Sequence, residues 1–221
     1  MTFRWWERWG ALTGALAIAC WIVAFLIASS NPSTTDSDAK ITAFYTSHSH
    51  QVHQIITWFV FIAGLLLLLG FLSALRARLV VAEGEPGRLT ALAFGAGVAS
   101  AVLWFIAVSL FSVPALAAND TGKFHLDPNT YRLVQDFGYM AWVGAVIVAA
   151  LTVWSTSAIA LRSGLLPKWF AWIGVVAGIL QLFAIFFIPA FIFWGWILVA
   201  SVLLFARGAA AQRPGPTAPT G

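Results

Sequence analysis

The chain has 221 residues, of which 61% are hydrophobic and 9% charged, with a net charge of +4. A soluble chain of this length must cover its surface with polar side chains, whereas a bilayer solvates apolar surface directly, so the composition excludes an ordinary water-soluble domain. A single cysteine, Cys20, excludes intrachain disulfides, a CxxCH haem attachment and a multi-cysteine metal site; the scattered basic residues lack the aromatic-interleaved block that would point to nucleic acid.

At the N-terminus, Arg4, Glu7 and Arg8 fall on one side of a helical wheel and Trp5, Trp6 and Trp9 on the other, the pattern of an interfacial anchor. Six apolar runs follow, at residues 10–28, 52–75, 89–117, 137–161, 168–188 and 190–205. Crossing the hydrocarbon takes roughly 20 residues, so each run predicts a transmembrane helix, the first retained rather than cleaved and the last the shortest. The expected fold class is all-α, a polytopic membrane protein of six transmembrane helices over 1–207. The Ala-, Pro- and Gly-rich tail, 208–221, is expected to be disordered and cytoplasmic.

With both termini in the cytoplasm, Arg4, Arg8, Arg76, Arg78, Arg88, Arg162, Lys168, Arg207 and Arg213 lie inside, nine of the twelve basic residues; Lys40, Lys123 and Arg132 lie outside. Positively charged loops resist translocation, so this orientation is the expected one. The outer loops, 29–51 and 118–136, are polar enough to form short helices, with Asp36 or Asp38 as N-cap. The third run would extend about 45 Å as a straight helix, and Pro114 is expected to kink or end it. Trp169 and Trp172 are expected at the inner interface, and Trp194 and Trp196 at the outer one.

Small residues sit in the first half of each outward-going helix: Gly10 and Gly14, Gly95 and Gly97 with Ser100, and Gly174 and Gly178. Such spacing lets helix backbones approach closely, and its recurrence suggests three related helical hairpins.

The segments FYTSHSHQVHQ before the second span, FLSALRARL at its end and LRSGLLPKWFAWIGVVAG at the start of the fifth resemble a family of bacterial integral membrane proteins catalogued as a domain of unknown function, common in actinobacteria. The resemblance covers Trp9 to Arg207. It implies a six-helix domain in the bacterial cytoplasmic (inner) membrane and supplies no catalytic residue.

Two constellations carry possible chemistry. His50, His53, His125 and Asp136 on the outer side are of the types that hold zinc; His50 and His53, three apart, share a helix face, and a third ligand would come from across the bundle. His53, Gln54 and Thr57 form a polar stripe on the second span that can face Gln135, Asp136 and Tyr139 on the fourth, with Asp136 placed to set the protonation of His53. Gln181 lies about 20 Å above Lys168, where an amide must face a neighbouring helix or a cavity. These seven residues predict an outward-opening ligand pocket.

The absences are informative. No lysine lies at mid-membrane, so a retinal Schiff base has no anchor, and no acid or base stands at the bilayer centre to relay ions. HExxH, GxSxG and Walker signatures are missing. The leading expectation is a non-catalytic membrane module, with no cofactor, binding a small amphipathic molecule, lipid or partner helix in its outer half. The rivals are a metal-dependent membrane hydrolase using the zinc-type residues and a small-molecule transporter acting as an oligomer.

Overall fold

The computed structural model describes residues 2–121 and 125–210, with only the backbone at 2–8, 121 and 208–210. Seven α-helices and one 3₁₀ turn, with no strand, make up the described residues: α1 (Thr2–Ala28), α2 (Asp38–Thr46), α3 (His48–Glu83), α4 (Arg88–Thr121), α5 (Pro128–Ser163), α6 (Lys168–Gln181), the 3₁₀ turn (Ala184–Phe186) and α7 (Ile188–Ala210). Five of them, α1, α3, α4, α5 and α7, are long and apolar enough to cross a membrane.

The fifth apolar run, expected as one span over 168–188, is not a continuous helix. Its α-helix stops at Gln181 after 14 residues, a rise of about 21 Å against a hydrocarbon core of roughly 30 Å. The chain then turns through the 3₁₀ segment, and α7 begins at Ile188. Pro189, with no N–H to offer, suits the first turn of a helix, so it opens α7 rather than standing before it. Phe187 completes the turn with φ 64° and ψ −39°, a left-handed conformation strained for any residue with a Cβ.

The other helices also differ from expectation at their ends. α4 runs through Pro114 to Thr121 without stopping. Among its described residues the second polar loop forms no helix of its own; Asp127 caps α5, accepting from Thr130 N–H at 2.8 Å. In the first loop the expected helix does form, as α2, but its N-cap is Ser37 rather than either aspartate. α1 is one helix from Thr2; of the expected N-terminal anchor only Trp9 has a described side chain, which is exposed and lies against the Phe205 ring at 5.7 Å, and the tail 211–221 and Lys123 lie outside the described residues.

Six helices form a closed ring in chain order, α1, α3, α4, α5, α6 and α7, with α7 returning against α1. α1 pairs with α3 and α4 with α5 as the hairpin pattern suggests, but α6 lies mainly on α5 rather than on α7. Small residues sit where the helices close. A Cβ on Gly14 would fall 2.2 Å from Ser201 Oγ, and one on Gly178 2.2 Å from Trp154 Nε1, whereas Gly95 faces open space. Ser100 Oγ donates to Ala145 O at 2.8 Å, tying α4 to α5.

At one end of the ring, Arg78 donates to Leu204 O at 2.8 Å, and Arg207 holds Gly164 O and Leu165 O at the left-handed end of α5. Arg207 thus takes up carbonyls left without donors where α5 ends, while Arg78 ties α3 to α7. The opposite end is capped by α2, whose Ile41 and Tyr45 pack on Ala115 and Tyr131. Tyr131 Oη donates to Pro32 O at 2.6 Å, and Arg132 spans Thr34 O, Asp36 O and the Asp38 carboxylate. Two adjacent side chains of α5 therefore pin the whole α1–α2 connection.

Midway along the ring, aromatic rings from α1, α3, α4, α5 and α7 meet. Trp21 stacks on Trp104 at 5.0 Å and on Phe61 at 5.2 Å, and Trp104 lies 4.2 Å from Trp142. Trp194, 4% exposed, packs against this group from α7, and Trp196 stacks on Phe170. The expected interfacial placement of Trp194 and Trp196 is therefore overturned: both rings are interior. Trp169 and Trp172 are exposed.

Candidate functional site

Above the aromatic plug, toward the α2 end, the ring does not close solidly. An inner chamber of about 210 Å³ lies between α1, α3, α4, α5 and the start of α7. Trp142 and Trp194 belong to its wall together with Phe61, Trp58 and Phe111, and Gln54, Thr57 and Gln135 contribute polar groups. No ionisable side chain lines it. A wider vestibule of about 760 Å³ adjoins it, bounded by Pro32, Ser33 and Thr34 of the pinned loop and by Asp136 and Tyr139 of α5. Phe25, Phe111, Gln135 and Phe187 line both spaces and mark the constriction between them.

Each polar group is there for a local reason. Pro114 lies inside α4 and offers no N–H to Leu110 O, one residue before Phe111. Phe111 O accepts Gln54 Nε2 and Gln135 Nε2, each at 3.3 Å. Gln54 Nε2 also reaches Tyr45 Oη at 3.3 Å, so the Gln54 amide links α3 to α2 and α4, and Gln135 of α5 shares its carbonyl on α4. Its Oε1 is buried without a hydrogen-bond partner, and so are Nε1 of Trp142 and Nε1 of Trp194. A buried polar group left unpaired costs about 1–3 kcal/mol, and these three atoms are sealed by packing rather than open to the chamber.

At the constriction, Phe187 stacks on Trp142 at 5.5 Å and contacts Phe25 at 6.2 Å. Tyr139 Oη donates to Ile185 O at 2.5 Å and holds the 3₁₀ turn against α5. The strained residue and the break in the helix thus sit at the neck of the cavity.

The expected pocket residues divide into two groups. Gln54, Thr57 and Gln135 come together in the chamber, and Asp136 and Tyr139 join Gln135 in the vestibule. His53 is exposed and lines neither space, and no hydrogen bond or ion pair joins it to Asp136. Gln181 is fully buried but also lines neither space, and neither of its amide atoms has a partner. The zinc-type residues His50, His53, His125 and Asp136 are not brought together; among the described residues no three His, Cys, Asp or Glu side chains form a metal-sized group. His50 instead stacks on Phe44 at 4.2 Å, with Nδ1 3.3 Å from Phe44 O. The aromatic walls were missed in the sequence, where a tryptophan inside an apolar run looks the same whether it faces lipid or a cavity.

A family model described as a domain of unknown function (DUF4386) matches residues 12–212. The chain belongs to that family. The match takes in every element that builds the cavity, from Phe25 on α1 to Trp194 on α7, so chamber and plug lie within the family's own domain. No curated protein and no solved structure matches the chain.

Proposed function

We propose that this protein is a non-catalytic module of the bacterial cytoplasmic membrane that holds a small amphipathic molecule in the chamber at its α2 end. The observation that carries the reading is that chamber: aromatic walls, a few convergent amides and hydroxyls, and no ionisable side chain, in a chain otherwise packed through its middle. Both termini face the cytoplasm in this account, with the basic residues, so the chamber lies in the outer half of the bilayer. Surrounding lipid is the source of the ligand, and a second copy or another membrane protein is the receiver.

A second reading, transport of the same molecule, draws on one feature. Interrupted helices beside a binding site are the moving parts of many carriers, and α6 is interrupted at the neck of this cavity. Zinc-dependent hydrolysis is not carried further, since it needs His50, His53, His125 and Asp136 to converge.

The test is the thermal midpoint of the full chain in nanodiscs, with and without lipid extract from the source bacterium. A ligand that binds only the folded state raises the midpoint in proportion to its concentration over Kd. A saturable rise is expected. No rise with any extract fraction removes the proposal.

A further inference from the structure

We infer that the molecule held here has an ammonium head of net positive charge, seated in the vestibule at Asp136, with its apolar chain running past Phe187 into the chamber; this rests on the binding reading just given. The two adjoining spaces differ as the two ends of such a molecule do. No ionisable side chain lines the chamber, whereas the vestibule has one carboxylate, Asp136, and no basic side chain among the described residues. Asp136 is exposed and shares a face of α5 with Tyr139, three residues on.

The other carboxylates around the α1–α2 connection are already matched. Asp36 holds Lys40 at 2.9 Å, and Asp38 holds Arg132 at 2.7 Å. Asp136 has no such partner among the described residues, although Arg132 lies one turn before it, because that guanidinium is drawn to Asp38, Thr34 O and Asp36 O. An anionic head would therefore meet an unmatched carboxylate, with Lys40 and Arg132 each already facing another acid. A neutral head would gain nothing from the charge. A cation gains from it, and Tyr139, tied through its hydroxyl to Ile185 O, adds a ring to the same wall; a cation within about 6 Å of an aromatic face is attracted to it.

Depth orders the spaces in the same way. Trp142, in the chamber wall, follows Asp136 by six residues of α5, about 9 Å along the helix. Ala28 and Ser29, where α1 ends, border the vestibule. In the orientation proposed above, the head thus stands at the edge of the bilayer, where a charge is tolerated, and the chain points toward its centre, where a charge is not. The sizes agree: the vestibule of about 760 Å³ has room for a hydrated head. The chamber of about 210 Å³ suits a slender chain, since an apolar cavity of about 150 Å³ holds benzene.

The experiment uses the full chain in phosphatidylcholine nanodiscs, whose headgroups carry no net charge, and three probes with one chain: 8-bromooctyl-trimethylammonium, 8-bromooctan-1-ol and 8-bromooctanoate. Bromine at the chain end quenches tryptophan on contact, Trp58, Trp142 and Trp194 line the chamber, and the saturable part of the quench is read at equal mole fraction in the bilayer. A solvated ion pair is a modest interaction, so the ammonium should half-saturate at a concentration about threefold to fivefold below the alcohol, with the carboxylate weakest. Raising salt from about 0.1 M to about 1 M shortens the screening length from about 10 Å to about 3 Å and should shrink that preference. Asp136→Asn keeps the side chain's shape without its charge and should bring the ammonium level with the alcohol. Asp120→Asn removes an exposed charge that lines neither space and should leave the preference intact. Equal binding of all three probes, tighter binding of the alcohol or the carboxylate, a preference that survives Asp136→Asn, or one lost equally in Asp120→Asn overturns the cationic assignment and leaves the cavity reading standing. No saturable quench by any probe overturns both.

Discussion

The Gln54 side chain concentrates the logic of the site. Its Nε2 bonds to Tyr45 Oη and Phe111 O, and its Oε1 is sealed in the packing without a partner. That an amide such as Gln54 would turn to a neighbouring helix or a cavity was arguable from the sequence, because it is too costly to leave against lipid. The tryptophans were not legible: an indole serves equally as interfacial anchor and as interior wall, and only packing tells Trp194 from Trp172. Trp104, fully buried at the centre of the plug, is expected to cost about 3–5 kcal/mol on truncation to alanine. Reversible unfolding in mixed micelles measures it, and a loss below about 1 kcal/mol would mean that the plug is loosely packed. At the cap, Lys40 and the Ser33 N–H hold the Asp36 carboxyl below the usual carboxylate value. A depressed pKa stabilises the fold above the unfolded value, near 3.9, and that contribution is lost as pH falls through the lower folded value. Hydrogen exchange of residues 33–40, corrected for intrinsic rate, should therefore accelerate below about pH 4, and in Asp36→Asn it should be fast already at neutral pH.

α6 and the turn after it hold the strain of the molecule. Reading 168–188 as one helix follows from hydropathy, which counts apolar residues and does not see where a backbone breaks. The overlooked signal was Pro189, whose place in a first helical turn requires a turn just before it. Phe187 pays for its left-handed backbone with ring contacts to Trp142 and Phe25. Phe187→Gly removes both the strain, about 1–3 kcal/mol, and the ring at the neck. The folded state should survive, and quenching of tryptophan by a brominated single-chain amphiphile should approach equilibrium at least tenfold faster; an unchanged rate would show that the neck does not control access. Close helix approach makes a separate prediction. Gly178→Ala drives a methyl into the Trp154 indole, which donates to Val175 O at 3.0 Å, so α6 should detach first from α5. Cysteine accessibility along α6 checks it, and wild-type protection in that variant would contradict the packing.

For the molecule as a whole, membrane character and the helical class were plain from composition, since solvent decides them before any detail of packing. The ring order and the chamber were not, because they depend on which faces of α1, α4 and α7 turn inward, and glycine spacing alone left that open: Gly14 and Gly97 are contacts, Gly95 is not. The measurement closest to the central claim is native mass spectrometry of the full chain released from nanodiscs made with its own membrane lipids, alongside Ala24→Phe. Ala24 is buried and lines the chamber, so a benzyl group there fills it. The wild type should retain one bound lipid through mild activation, and the filled variant, equally folded, should arrive bare. Equal retention by both proteins would place the bound lipid elsewhere and contradict the account.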